Sequence, residues 1–194
     1  DKDYVESCAQ ALAPIGLNCG KNVEGAISYY VRFNPDYSHP TSGLFGTREN
    51  QNASFQTFPC TDISKYDKND MEHVGWYYIP VNRGKPTWMN PYMNANINVY
   101  MISYVVPLVA GDGTSLGIAG MDVDFSVIQK KIANARLYET GYAMLVNSEN
   151  QVLASKEGDK AVSLQELSPE LAAYVTDTNP AGVLAYQQQG EYGK

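Results

Sequence analysis

The chain lacks the features on which membrane-spanning segments, nucleic-acid-binding surfaces and most metal sites depend. No uninterrupted apolar run reaches the roughly 18 to 20 residues of a transmembrane helix. No block of Lys or Arg is present that would attract a phosphate backbone. Histidine occurs only 2 times and cysteine only 3 times. The sequence therefore predicts neither a spanning segment nor nucleic-acid binding.

Charge is also scarce. Only 18% of the 194 residues are charged, whereas about 25% is usual, and 14 basic against 21 acidic residues give a net charge of −7. Hydrophobic residues make up 44% of the chain, which excludes intrinsic disorder. A chain of this length forms one domain or two small ones. Polarity comes largely from uncharged groups such as its 15 tyrosines, which favours a binding function.

The cysteines leave two alternatives open. Cys8, Cys19 and Cys60 are an odd set without the CxxC spacing of a zinc site or redox dithiol. A Cys8–Cys19 disulfide in an oxidising compartment is one interpretation, and three buried thiols are the other.

Motifs for catalysis and cofactor binding are missing. There is no GxSxG nucleophile turn, no Walker A spacing around Lys21 or Lys85, and no HExxH motif. An acidic segment does suggest calcium, but the fifth position of an EF-hand loop beginning at Asp67 would be Met71. We expect a solvated acidic turn formed by Asp67, Asn69, Asp70 and Glu72. The sequence predicts no enzymatic activity, no metal and no cofactor.

The first half of the chain gives three signals of local structure. Val5, Cys8 and Leu12 have helical spacing, so residues 1–14 read as a helix that Pro14 and Gly16 end. Alternating β-branched and aromatic residues predict a strand within residues 22–34. Residues 35–73 are polar and read as a long covering loop.

From Gly75 onward, apolar and aromatic runs predict three or four antiparallel strands. The runs are separated by NRGK, MNAN and AGDGTS, of which Asp112-Gly113 is the strongest hairpin signal. Asp124 then caps an amphipathic helix, on which Phe125 and Ile128 begin the apolar face.

A second strand-turn-strand follows Gly141, with its bend at residues 148–150. Residues 163–175 read as one or two short helices, and a further strand begins near residue 183. This order resembles the opening of a second small α/β unit. We expect that unit to be incomplete.

Three segments together resemble the signature of the double Cache family of sensor domains. They are VGWY at 74–77, NPYMN at 90–94 and GIAGMDVDF at 117–125, and the likeness extends through ISYVVPL and ETGYAMLVNSENQVLAS. The resemblance implies an α+β fold with PAS-like antiparallel sheets along a long N-terminal helix. It divides the chain into the end of that helix (1–20), a membrane-distal ligand-binding subdomain (21–136) and a partial membrane-proximal subdomain (137–194).

The resemblance also implies a ligand pocket. In the amino-acid-binding branch, the pocket reads Arg-x-Trp-Tyr, then Tyr-x-Asp, then an Asp in a later strand. The matching residues here are Trp76, Tyr77, Tyr92 and Asp122. Two positions depart, since Val74 replaces the arginine that grips the ligand carboxylate, and Asn94 replaces the first acid.

These departures shape the predicted ligand. Without the arginine an α-amino acid binds poorly, unless Arg83 or Lys85 reaches the pocket. Asp122 and the aromatic rings favour an amine, an amino compound or a neutral, nucleobase-like polar ring. Structural roles are the alternative: Trp76 and Tyr77 packing the sheet, Tyr92 and Asn94 in a turn, and Asp122 in an internal salt bridge or backbone cap.

The function that follows is small-molecule sensing in an extracytoplasmic domain of a bacterial transmembrane receptor. Such domains normally lie between the transmembrane helices of a chemoreceptor, histidine kinase or diguanylate cyclase. The alternative function is a ligand-free Cache module for homodimerisation or partner docking. A ligand should stabilise the first of these in a thermal-shift screen and leave the second unchanged.

Overall fold

A seven-stranded antiparallel sheet organises the first part of the chain. The computed structural model describes residues 1–94, 98–139, 141–156 and 162–176. The chain divides into two units, Asp1–Ile128 and Gln129–Lys194, and each is described by itself.

The first unit combines this sheet with helices. Its strands are β1 (Ala26–Phe33), β2 (Gly43–Thr47), β3 (Gln56–Thr57), β4 (Thr87–Trp88), β5 (Tyr92–Asn94), β6 (Val99–Val109) and β7 (Ser115–Asp124). They lie in the order β3-β2-β1-β7-β6-β4, and β5 also pairs with β6. The helices are α1 (Lys2–Asn22) and α2 (Met71–Arg83), and α3 (Phe125–Asn134) follows β7. The predicted α+β class, with its long N-terminal helix and antiparallel sheet, is confirmed.

Helix α1 is longer than the sequence pattern predicts. Pro14 lies inside the helix, so the expected end at Pro14 and Gly16 is wrong. Packing explains the difference, since a Cβ atom on Gly16 would lie 2.6 Å from Leu44 Cδ2 and 2.9 Å from the Tyr29 ring. Gly16 is therefore a point of close approach to the sheet rather than a helix stop.

Helix α2 replaces the first of the predicted strands. Residues 75–83 are helical, and NRGK is the end of this helix rather than a hairpin turn. Asp70 caps its first turn by accepting a hydrogen bond from the His73 amide at 3.2 Å. Gly84 ends it in the left-handed conformation, with φ 61°. The apolar run that resembles a strand is the buried face of this helix, and Val74, Gly75, Tyr77 and Pro80 are its buried residues.

The segment 35–73 also contains more structure than a covering loop. It includes β2, β3 and a short 3₁₀-helix at Ile63–Lys65, which are separated by turns. Strand β2 pairs along β1, from Ser28 opposite Thr47 to Arg32 opposite Gly43. The polar composition hides this strand because two of its five residues are glycines.

The buried side chain of Arg32 holds the segment between β1 and β2 by hydrogen bonds. It is fully buried, and its guanidinium donates to the carbonyl oxygens of Phe33, Pro40, Ser42 and Thr61 and to Ser38 Oγ, at 2.6–3.4 Å. Burial lowers its pKa. Because five acceptors surround the guanidinium, its charge is compensated by carbonyl dipoles.

Other predicted elements are confirmed. β1 falls within residues 22–34, and the β6–β7 hairpin turns at Asp112-Gly113. Asp124 caps the start of α3 by accepting from the Ser126 amide at 2.9 Å.

The second unit contains short elements. β8 (Arg136–Leu137) pairs with β9 (Gly141–Tyr142), and β10 (Leu145–Val146) pairs with β11 (Val152–Ala154). Helices α4 (Leu164–Leu167) and α5 (Pro169–Thr176) follow. The predicted bend at 148–150 and the short helices are confirmed, whereas the strand expected near residue 183 lies outside the described residues.

All three cysteines are free, but Cys19 is exposed and Cys8 only partly buried, so the alternative of three buried thiols is wrong. Cys8 and Cys19 lie 11 residues apart on the single helix α1, which separates them by about 16 Å. A disulfide needs Cα atoms within about 7 Å, so the Cys8–Cys19 bridge is excluded.

Candidate functional site

A buried carboxylate lies at the centre of the sheet, on the face that α2 covers. The register aligns Ser28 of β1, Asp122 of β7 and Ser103 of β6 as direct neighbours. Side chains in register on adjacent antiparallel strands share one face, so the two serines flank the acid.

Three hydroxyl groups donate hydrogen bonds to Asp122. Ser28 Oγ lies 2.6 Å from Oδ2, and Ser103 Oγ lies 2.7 Å from Oδ1. The Tyr30 hydroxyl lies 3.3 Å from Oδ1 and makes the longest of the three bonds. The structural alternative, in which Asp122 forms an internal salt bridge or caps the backbone, does not describe these bonds, because the three partners are neutral side chains.

The electrostatics of this site are unusual for a buried acid. Asp122 is 7% exposed, and in the described part of the chain it forms no ion pair with Lys, Arg or His. Burial raises the pKa of Asp122 above its ordinary value of 3.8, and the three hydroxyl donors act in the opposite direction. A cation that entered the site would stabilise the charged form of Asp122 and so offset the effect of burial.

Trp76 reaches the Asp122 site through Tyr30. The Trp76 ring lies edge-on to Tyr30 with centroids 5.6 Å apart, and its Nε1 donates to the His73 carbonyl oxygen at 2.9 Å. Trp76 is half-buried, whereas Tyr30 is only 8% exposed. Burial and the nearby Asp122 raise the pKa of Tyr30 well above its ordinary value.

Tyr92 contacts the site from β5, the strand that pairs with β6. Its hydroxyl lies 3.4 Å from Ser103 Oγ, and Ser103 in turn binds Asp122. Burial of the hydroxyl, together with the Asp122 carboxylate, raises the pKa of Tyr92 to about 12, although 39% of the residue is exposed. Tyr92 therefore extends from the buried acid towards solvent.

Asn94 and Tyr77 lie further from the acid. Asn94 ends β5, and its Nδ2 lies 3.8 Å from Met101 Sδ. Tyr77 is 2% exposed and packs edge-on against Trp76 and Tyr78, with centroids 6.1 and 5.0 Å apart. Of the five predicted residues, Asp122, Tyr92 and Trp76 therefore join one connected group, and Tyr77 lies in the core beside it.

The sequence analysis missed three members of this group. Within the described ranges, Ser28, Tyr30 and Ser103 supply the hydroxyls that bind Asp122. A signal was present, since Ser28 and Tyr30 alternate with apolar residues along β1 and share one face. Their register opposite Asp122, however, is a long-range property that the residue pattern does not contain.

In the described part of the chain, no group of three or more His, Cys, Asp or Glu residues is arranged to hold a metal ion. Asp67 and Asp70, the start of the acidic segment, instead bind the backbone. Asp67 Oδ1 accepts from the Asn69 amide at 2.8 Å, and Asp70 caps α2.

Residues 18–130, more than half of the chain, match the model of the methyl-accepting chemotaxis protein-like first PDC sensor domain. The chain belongs to this family. The PAS-like sensor fold predicted from the sequence is thereby confirmed, and the double Cache arrangement stays a prediction.

A curated relative comes from chemotaxis. The methyl-accepting chemotaxis protein PctB of Pseudomonas aeruginosa is 27% identical over 128 residues, or 65% of this chain. That stretch is 20% of PctB, so the chain spans about a fifth of this relative.

Solved structures share the fold. The extracellular domain of mmHK1S-Z2, described as a histidine kinase, has a TM-score of 0.57 and 21% identity, covering 91% of this chain and 67% of that one. The ligand-binding domain of the Campylobacter jejuni chemoreceptor Tlp3, in complex with 4-methylisoleucine, has a TM-score of 0.53 and 17% identity, covering 93% and 56%. Within the residues described for the present chain, no helix has the length and hydrophobicity to cross a membrane.

Proposed function

We propose that this chain is an extracytoplasmic ligand-sensing domain of a bacterial transmembrane receptor, and that it binds a small amine at Asp122. Its two units correspond to the two modules of a double Cache domain, and it acts by binding rather than catalysis. The observation that carries the proposal is a buried carboxylate whose hydrogen-bond donors, among the residues that the structure describes, are neutral hydroxyls.

We choose an amine as the ligand because the Asp122 carboxylate can accept a further hydrogen bond. A carboxylate accepts about four hydrogen bonds, and the described residues supply three. Among the described residues no cation is paired with it, so its charge is compensated only by hydroxyl dipoles. An ammonium group supplies both the missing donor and the missing positive charge, and charge-assisted hydrogen bonds are about twice as strong as neutral ones.

The aromatic residues support the same ligand class. Trp76 and Tyr92 are both partly accessible, and each connects to Asp122 through one intervening side chain. An ammonium within about 6 Å of an aromatic ring gains roughly 0.5–2 kcal/mol. Asn94 and Tyr77 complete the proposed site, Asn94 as an uncharged polar group at its edge and Tyr77 as support behind Trp76.

An α-amino acid fits this site less well than a simple amine. Tlp3 structures contain 4-methylisoleucine and L-norvaline, whose carboxylates need a paired donor. Here Val74 stands at the position where the resemblance places arginine, and Val74 is fully buried in the core. Arg83, the last residue of α2, is exposed and lies about 13 Å along the helix from Val74, and Lys85 is exposed just beyond the helix.

Ligand binding would act on signalling by changing populations. A ligand shifts a receptor only through its different affinities for two conformations. Asp122 links β1, β6 and β7 through its hydroxyl partners, so a bound ammonium would stabilise one arrangement of these strands against α2.

Methylamine and glycine, which differ by one carboxyl group, test the proposal. Thermal unfolding is followed by tryptophan fluorescence, since Trp76 and Trp88 are the 2 tryptophans of the chain. At a concentration near 100 times its Kd, methylamine should stabilise the protein by about 2.7 kcal/mol, and glycine should stabilise it less. Asp122→Asn should abolish the methylamine effect.

Asp112→Asn is the matched control, because Asp112 is an exposed acid in the β6–β7 turn. This variant should respond to methylamine as the wild type does. If amines, amino acids, purines and neutral polar compounds all leave unfolding unchanged, the proposal is wrong, and a ligand-free docking or dimerisation module explains the fold.

A further inference from the structure

Tyr30 occupies the space between Asp122 and Trp76. The end of its ring lies above Gly120 on the neighbouring strand, where an added Cβ atom would be 2.5 Å from Tyr30 Cζ and 2.7 Å from its hydroxyl oxygen. Since a real Cβ does not approach other atoms so closely, Gly120 is what permits this position of the ring. The hydroxyl then ends 3.3 Å from Asp122 Oδ1.

The ring is held from several sides. Trp76 meets it edge-on at 5.6 Å, and Val74, Val105 and Ile118 belong with it to one buried cluster. Tyr30 pairs with Phe45 of β2 and with Gly120 of β7, so its backbone is fixed at the centre of the sheet. A group attached to an amine at Asp122 therefore meets a ring that is confined by its neighbours.

We infer that Tyr30 is the specificity-determining residue of the Asp122 site and limits the amine to one with a compact substituent. This inference rests on the proposed function, because it assumes that Asp122 receives the ammonium. The phenol ring fills the volume above Gly120 into which a larger substituent would extend. Removing the ring should open a space of about its own size, and a buried apolar space of this kind can accept a ligand ring.

Three amines of increasing size test the limit: methylamine, isobutylamine and benzylamine, each as the chloride salt at matched ionic strength. The wild type should bind methylamine and exclude the other two. Tyr30→Ala should gain isobutylamine and benzylamine, each by about tenfold or more in affinity relative to wild type. The double variant Tyr30→Ala with Asp122→Asn should lose all three.

Two variants separate the ring from the hydroxyl and from general stability. Tyr30→Phe keeps the ring and should exclude the larger amines as wild type does. Tyr29→Ala is the matched control, since Tyr29 lies over Gly46 in the same way but on the opposite face of the sheet. It should lower stability without changing the size limit. If Tyr30→Ala does not fold, Tyr30→Leu should admit isobutylamine and still exclude benzylamine.

The outcomes distinguish this inference from the proposed function. If wild type and the folded Tyr30 variants bind the same amines with the same affinities, the inference is overturned and the proposed function stands. If wild type binds none of them but Tyr30→Ala binds benzylamine through Asp122, Tyr30 closes the site to every amine, and both the proposed function and the limit to compact amines are overturned. If no amine binds to any of these proteins, both are overturned.

Discussion

Asp122 is ionisable, buried and surrounded by neutral donors, and this combination makes its protonation state sensitive to whatever else enters the site. Ser28, Ser103 and Tyr30 stabilise the charged form, whereas burial disfavours it more strongly, so the pKa is raised. A raised pKa means that the folded protein binds this proton more tightly than the unfolded chain does. The contribution of Asp122 to stability therefore falls as the pH rises from 3.8 through the raised pKa.

Methylamine binding should show the opposite pH dependence. Methylammonium remains charged below neutral pH and needs the ionised form of Asp122, which becomes scarcer by about tenfold for each pH unit below its pKa. Affinity measured by calorimetry should rise as the pH increases from 3.8 through the raised pKa of Asp122 and then level off. An affinity that is constant over this range would exclude Asp122 as the group that pairs with the ammonium.

At the scale of elements, the sequence pattern correctly predicted the hairpin of β6 and β7, whose strands are adjacent along the chain. It wrongly predicted a strand where the structure has helix α2, because the buried face of that helix is apolar. Asp112-Gly113 is a local turn signal, and β6 and β7 flank it as predicted. In α2, by contrast, tyrosine, isoleucine and valine favour strands, and the helix depends on its Asp70 cap and on Val74 and Tyr77 packing against the sheet. Tertiary packing decides whether such a segment forms a strand or a helix, and a short apolar run in the sequence does not show which of the two forms.

Gly84 is a local sequence signal for the end of helix α2. Its φ of 61° allows its amide to donate to the Pro80 and Val81 carbonyl oxygens at 3.0 and 3.1 Å. Gly84→Ala should destabilise the first unit by about 1 kcal/mol, because alanine is strained in the left-handed region. Urea unfolding followed by tryptophan fluorescence measures this cost.

Gly111→Ala is the matched control for the helix end. Gly111 and Gly84 both have open space around the position of a Cβ atom, but Gly111 lies outside the left-handed region. Its substitution should change the unfolding free energy by less than about 0.5 kcal/mol. Equal costs at the two glycines would contradict a specific capping role for Gly84.

For the molecule as a whole, the residues of the proposed site come from distant parts of the sequence and meet only through the sheet. Ser28 and Asp122 are 94 residues apart, and Ser103 and Asp122 are 19 apart. The family resemblance predicts Asp122, Trp76 and Tyr92 as site residues, whereas the hydroxyls that surround the acid depend on strand register. The fold class was therefore predictable, and the chemistry around Asp122 was not.

The first unit contains its own core and the whole Asp122 site. The buried cluster around Val74 and Ile118 lies within it, as do the three described hydroxyls that bind Asp122. Phe125, at the start of α3, is fully buried and packs edge-on against Tyr100 at 5.6 Å. An independent first unit therefore has to include Phe125 and the helical turn that holds it.

A chain of residues 1–134 should fold and bind methylamine with the affinity of the full chain, because it retains both the cluster and Phe125. A chain of residues 1–124 is the matched comparison, since it keeps Asp122 but lacks Phe125 and the rest of α3. Loss of a buried Phe side chain costs about 3–5 kcal/mol, so the shorter chain should unfold at a much lower urea concentration. Tryptophan fluorescence in urea, with and without methylamine, measures both effects. If 1–134 is unfolded while the full chain is folded, the first unit depends on residues beyond α3, and the division into two independent units is wrong.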